Sequence, residues 1–325
     1  MPLVVLNSSA SQLAMVQSLD IRAWGYNPRP GDLSQALDLS HACRLRDLSI
    51  AISKHWAPAS LAIAVPIIAD PKSLWTLTLS GFVDPIVAFK VISQASSLRS
   101  LLWSPARELP PICPPEEQIS LPFLKHLGLH ESNALSILPH LHAPELLSFT
   151  LNQIYWMMEV PFPRPSQFLH LRVFNLILQR GFEFPALEAF LHGHPSLEVF
   201  SIQDQLLPGV ALACMTAPKL RLVVANWVPG DYRLEFFEGP QLLLSHWCSQ
   251  IALGNAAPDL HEMIFVDHPS YLEESRIERE EFEKMFVDFH GIILRTAPSN
   301  PFALWRPEDW DEWFQKTYPS YVPCF

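Results

Sequence analysis

Few residues of this 325-residue chain stand in patterns that could do chemistry. His246-Trp247-Cys248 sets an imidazole two residues from a thiol, the pair a cysteine nucleophile needs, but no third group orients the base, and the plainer reading of Cys248 is an inert buried thiol. His140 with His142, and His192 with His194, have the side chains of a metal site. No Asp, Glu or Cys stands at ligand spacing, so they read as solvated loop histidines and no metal is expected. The segment from Glu273 to Asp288 holds carboxylates, Glu280 among them, that could serve as general acid and base. It also sets Phe282, Phe286 and Phe289 on one helical face, which makes its charges the wet side of an amphipathic helix.

Phosphate chemistry is disfavoured as well. Glycines number only 11 against 31 prolines, and neither GxGxxG nor GxxxxGK[ST] occurs, so no nucleotide cofactor is expected. A net charge of −11 without any run of basic residues opposes nucleic-acid binding.

The elements that would position such groups follow a repeated phrase, apolar at positions one, four and six and often introduced by proline or serine. It reads Leu74, Leu77, Leu79, then Leu124, Leu127, Leu129, then Leu197, Phe200, Ile202. Its first residues are Leu45, Leu74, Leu98, Leu124, Leu146, Leu171, Leu197, Leu220 and Leu260, spaced by 22 to 29 residues except for a last interval of 40. That period marks a leucine-rich-repeat solenoid of the α/β class, with a curved parallel sheet inside and helices or irregular returns outside. Positions four and six share one face of a strand because side chains alternate with period two. Between phrases, Asp84 caps a helix opened by Pro85, with Ile86, Phe89 and either Val87 or Ile92 expected to face inward at helical spacing. A second helix is expected over Pro185–Leu191, stopping at Gly193.

Residues between the core positions point to the other face and align in columns when units stack. The central column reads Ser49, Thr78, Leu102, Gly128, Thr150, Asn175, Ser201, Val224 and Ile264. From these columns and the strand-end loops, His126, His130, Asn152, Asn175, Gln203, Asn226, Trp156 and Trp227 are the candidate partner-binding residues. Tyr155, Asp231, Tyr232 and Arg233 join them at the loops. A small, neutral, partly apolar surface of this kind suits a protein partner.

Only 17% of residues are charged while 49% are hydrophobic, so much of the chain must be buried. The apolar run from Leu61 to Ala69 is too short for a bilayer, and the N-terminus lacks the basic start of a secretory signal. Five scattered cysteines, odd in number and without CxxC pairing, fit free thiols in a reducing compartment, so a cytoplasmic or nuclear location is expected. Residues 1–40 read as an N-terminal cap or remnant, 41–266 as the solenoid, and 267–325 as a helical cap in which Trp310, Trp313 and Phe314 line the buried side.

The phrases SLWTLTLSG, LPFLKHLGLHE, APELLSFTLNQ, FLHGHPSLEVFSIQD and APKLRLVVANW resemble the leucine-rich-repeat region of fungal F-box proteins over residues 41–266. The resemblance implies a substrate receptor of an SCF-type ubiquitin ligase, bound to a Skp1-like adaptor through an F-box and holding its substrate on the repeats. Residues 1–40 contain no LPxEIL-type opening and no three-helix F-box, as in a shortened member or one lacking its first segment, so the adaptor contact is not implied by this segment. The expectation is a non-enzymatic protein-interaction module. Its alternative is an enzyme with a pocket between the arc and the acidic C-terminal helices, using Cys248, His246 or Glu280.

Overall fold

The computed structural model describes residues 14–23, 38–52, 67–68, 70–106, 118–153, 168–178, 189–203, 217–227, 259–267, 293–297, 307–317 and 319–320. His246, Cys248, Glu280, the expected helix at 273–288, and Tyr155, Trp156, Asp231, Tyr232 and Arg233 lie outside these residues. So does the start of the helix expected at Pro185, of which 189–192 are described and helical.

The protein is mixed α/β and rich in parallel strands. In chain order these are β1 (Ser18–Ala23), β2 (Asp38–Leu39), β3 (Asp47–Ile52), β4 (Ile67–Ile68), β5 (Thr76–Gly81), β6 (Ser100–Pro105), β7 (Ile119–Ser120), β8 (His126–His130), β9 (Leu141–His142), β10 (Ser148–Gln153), β11 (Val173–Leu178), β12 (Val199–Gln203), β13 (Leu222–Trp227), β14 (Glu262–Asp267) and β15 (Ile293–Ala297). Besides the helical residues 189–192, the described α-helices are α1 (Pro85–Gln94), the single turn α2 (Ser132–Leu135) and α3 (Pro307–Thr317).

Two compact units divide the chain, residues 1–146 with 311–325, and residues 147–310. In the first, β1, β3, β5, β6 and β8 lie side by side in that order, all parallel. In the second, β10 to β15 do the same in sequence order. Among the described residues, strand pairing includes Ser18–Ala23 in the first unit and Ile293–Ala297 in the second. The segment 267–325 is shared between the units, its residues from Asp311 onward belonging to the first.

The phrase positions explain the strands. Leu45, Leu74, Leu98, Leu124, Leu146, Leu171, Leu197 and Leu220, each at position one, are fully buried. Positions four and six, such as Leu77 with Leu79 and Phe174 with Leu176, are buried beside them. Three successive position-four phenylalanines stack in the second unit, Phe149 on Phe174 at 5.5 Å and Phe174 on Phe200 at 5.8 Å between ring centres. Each such ring pair adds about 0.5–1.5 kcal/mol beyond the area it buries.

One backbone device sets the register. The carbonyl of the residue after each position one accepts two amides from the next phrase: Arg46 from Trp75 and Thr76, Trp75 from Arg99 and Ser100, Arg99 from Lys125 and His126. Arg172, Glu198 and Arg221 repeat it in the second unit. The Ser73 hydroxyl, just ahead of its phrase, donates to the Leu45 carbonyl at 2.9 Å, which is one use of a serine at that position.

Helix α1 starts as its residues require. Asp84 accepts from the amides of Ile86 at 2.9 Å and Val87 at 3.4 Å, and Pro85 stands first in the helix, where it needs no amide partner. Ile86, expected to point inward, is instead 75% exposed. The buried line runs through Pro85, Ala88, Phe89, Val91 and Ile92, and Ile86 stands about 100° around the helix from Pro85.

Candidate interaction face

The face of the strands opposite the leucine core carries the aligned columns. Strand pairing sets Ser49 beside Thr78, Thr78 beside Leu102 and Leu102 beside Gly128 in the first unit. In the second, Thr150, Asn175, Ser201, Val224, Ile264 and Arg295 are in register in the same way. These neighbours match the sequence-predicted column.

Their exposure does not match a solvated surface. Asn175 and Ser201 have no exposed area, Val173 and Val224 none, Ser148 3% and Val199 2%. In the first unit the burial is graded. Ser49, Thr76, Thr78, Ser80, Leu102 and Ser104 are half-buried, whereas Ser100 is buried and so are His126 and Gly128 on β8. Parallel strands covered on both faces are the ordinary condition of such sheets, and period two alone does not say whether the second face is covered.

Over β8 the cover is part of α3. The His126 imidazole and the Asp311 carboxylate meet at 3.2 Å with side-chain exposures of 5% and 1%, and the Phe314 ring lies 5.7 Å from the imidazole. Phe314 is fully buried, and Trp313 meets it edge-on at 5.0 Å. Burial pushes the His126 pKa below its ordinary value; the hydrogen bond to Asp311 and its charge oppose that shift without cancelling it, and Lys125 adds to it. The imidazole is thus neutral at pH 7, and its Nε2–H donates to the carboxylate.

The candidate residues are therefore placed as follows. His126 and Asn175 are buried, His130 and Asn152 half-buried. Burial pushes the His130 pKa down to about 4. The side chains of Gln203, Asn226 and Trp227 lie outside the described residues although their backbones form strand ends, and Trp156 is outside altogether. Strand register brings His126, Gly128 and His130 onto one face of β8.

Among the paired histidines, His142 and His192 are exposed and His140 is half-buried, whereas His194 is 2% exposed rather than solvated. Its ring lies 4.2 Å from that of Phe190, and its Nδ1–H donates to the Phe190 carbonyl at 2.6 Å. Its Nε2 is buried without a hydrogen-bond partner among the described residues, and burial lowers its pKa against that backbone hydrogen bond. No group of three or more metal-binding side chains forms among the described residues.

A second stripe joins basic and aromatic residues that are not contiguous in sequence. The bifurcated carbonyls align the residues after each position one, so Arg46 and Arg99 lie over the Trp75 ring at 4.2 and 4.3 Å. Lys125 is the next member of that stripe. In the second unit the same stripe puts Glu198 between Arg172 at 3.7 Å and Arg221 at 4.0 Å. Spacings of 29 and 24 residues hide Arg46, Trp75 and Arg99 from a linear scan, and only the phrase register reveals them.

No family model matches the chain, and no curated protein does. Among the described residues no helix is long and apolar enough to cross a membrane.

Proposed function

We propose that the chain is a non-enzymatic, intracellular leucine-rich-repeat protein that binds a protein partner on the strand face opposite its leucine core. The observation that carries this reading is the in-register alignment of neutral side chains there, small and polar apart from the apolar Leu102: Thr76, Thr78 and Ser80 on β5 beside Ser100, Leu102 and Ser104 on β6. Residues on one face of neighbouring strands form a continuous reading surface whose side chains vary without disturbing the core. The resemblance of the phrases to fungal F-box repeat regions extends the proposal to a substrate receptor of an SCF-type ligase.

Thr78 and Ser104 are the positions to test, because they are only half-buried and long side chains there can reach water. Thr78→Arg with Ser104→Arg should abolish partner capture from cells that express the protein, while changing stability by no more than about 0.5 kcal/mol. A Skp1-like adaptor among the captured proteins would support the ligase role. Identical capture by the variant and the parent protein would eliminate this face.

A further inference from the structure

We infer that the row Arg46, Trp75, Arg99 and Lys125, at the N-terminal ends of β3, β5, β6 and β8, binds an acidic peptide whose carboxylates supply what Glu198 supplies in the second unit. The row lies on a different edge from the strand face of the proposed function, and the two readings stand or fall separately.

Both units build the row in the same way, with one difference. In the second, Arg172, Glu198 and Arg221 each follow a position-one leucine, and the Glu198 carboxylate stands 3.7 Å from the first guanidinium and 4.0 Å from the other. In the first, Arg46, Trp75 and Arg99 hold the corresponding places, with an indole where the second unit has a carboxylate. The strand order β3-β5-β6 puts Trp75 between the two arginines, so they cover opposite faces of its ring at 4.2 and 4.3 Å from the centre. Gln17 precedes the row ahead of β1 and Lys125 continues it ahead of β8, so its five members include no acidic residue. The arrangement that encloses a carboxylate in one unit thus leaves the carboxylate to be supplied from outside in the other.

Stacking orients these cations without consuming their donors. A guanidinium lying on an indole engages its flat face, and its N–H groups point outward in its own plane, where a carboxylate takes two of them side by side. Arg46 is exposed and Arg99 and Lys125 are half-buried, so the row is reached from solvent. Arg44 and Lys72 are exposed just ahead of the first two phrases. The acids nearby are Asp70, whose carboxylate accepts the Lys72 amide at 3.1 Å, and Asp47, which begins β3 in the next column. Screening over about 8 Å at physiological salt makes this local excess of cations, rather than the net charge of −11, what a ligand meets.

The length of the row selects a peptide. Arg46 and Lys125 are three strand spacings apart, roughly 14 Å, more than one carboxylate spans and about four residues of extended peptide. A single-stranded nucleic acid fits less well. Arginine already covers both faces of Trp75, which leaves no platform for the base stacking on which such binding relies.

The test uses the full chain and a fluorescein-labelled peptide of alternating glutamate and serine, read by anisotropy. The parent protein should bind it at least about tenfold more tightly than the same peptide with glutamine for glutamate. Arg46→Gln with Arg99→Gln should lose at least about tenfold of that affinity. Trp75→Glu should lose as much, because it copies the second unit and fills the row from within; Glu198, half-buried like Trp75, shows that the fold accepts a carboxylate there. Arg172→Gln with Arg221→Gln should bind as the parent does. Equal affinity for the two peptides, or parent affinity in the Arg46→Gln, Arg99→Gln variant, would overturn the inference, as would tighter binding of a thymidine oligonucleotide than of the acidic peptide. If these variants do not fold, Arg46→Gln alone decides, since Arg46 is exposed: lost affinity supports the site and parent affinity rejects it.

Discussion

Two glycines, each with a neighbour too close for a Cβ, should respond to the same substitution with very different losses of stability. Gly81 ends β5 with φ at +81°, and a Cβ there would stand 1.8 Å from the Ile52 carbonyl oxygen and 2.8 Å from its carbon. The left-handed backbone alone adds about 1–2 kcal/mol for alanine. Relief of the clash must move backbone, since the atoms in the way belong to β3, and forced repacking costs about 1–3 kcal/mol. That carbonyl also accepts the Phe82 amide at 3.2 Å, a bond worth about 1 kcal/mol that the shift would weaken. Against these, alanine lowers the entropy of the unfolded chain by about 0.4–1 kcal/mol. Gly81→Ala should therefore destabilise by about 2–5 kcal/mol. Gly128→Ala meets only the end of the Leu102 side chain under 3.0 Å, and a rotamer change clears it, so the net effect should lie within about 1 kcal/mol. Urea unfolding of both variants, followed by circular dichroism and compared through midpoints at unchanged slope, measures the difference. Gly81→Ala within about 0.5 kcal/mol of the parent protein, or a Gly128→Ala loss as large as that of Gly81→Ala, would refute the register drawn from these contacts.

Acid should destabilise the fold through its buried and half-buried histidines. His126 and His194 titrate below their ordinary value of 6.5 and His130 at about 4, so the unfolded chain takes protons first as pH falls. This contribution is complete above pH 6.5 and is lost from there down to the folded values, at up to about 1.4 kcal/mol per pH unit for each histidine. An unfolding midpoint unchanged between pH 7 and pH 5 would contradict it. Glu198, despite two arginine neighbours, has its pKa raised, because burial outweighs the pull of Arg172, Arg221 and Lys219. Glu198→Gln should accordingly cost no more than about 0.5 kcal/mol at pH 7, and a loss above about 1 kcal/mol would show the ion pairs to be stabilising. Phe174→Ala should cost about 3–5 kcal/mol, while exposed Ile86→Ala should stay within about 0.5 kcal/mol; similar values for the two would contradict the burial pattern.

The sequence disclosed whatever depends on local period. Leu74, Leu77 and Leu79 are identifiable as core by alternation within one phrase, and Asp84-Pro85 announces a helix start through the chemistry of orphan amides. The exposure of Ile86 is not legible from spacing, because in so short a helix the apolar residues nearly encircle the axis, and only the position of the sheet decides which line turns inward. Alternation also separated the two faces of β8 and β11 correctly, yet it has no access to what covers the second face, so Asn175 and His126 look exposed in sequence and are not. The partner of His126 lies 185 residues away, a separation that no periodic pattern encodes. His194 was hidden similarly, its environment made by Phe190 one turn earlier and Phe168 from another phrase. The stripe of Arg46, Trp75 and Arg99 was legible in principle, since each follows a phrase's first leucine.

The seating of α3 on β8 is most directly tested at His126 itself. In protein carrying nitrogen-15 histidine, the His126 ring signals should remain those of a neutral imidazole as pH is lowered through 6.5, and in Phe314→Ala the titration should move up toward 6.5. Titration of His126 near 6.5 in the parent protein would mean that the ring is in water and that α3 does not occupy this face.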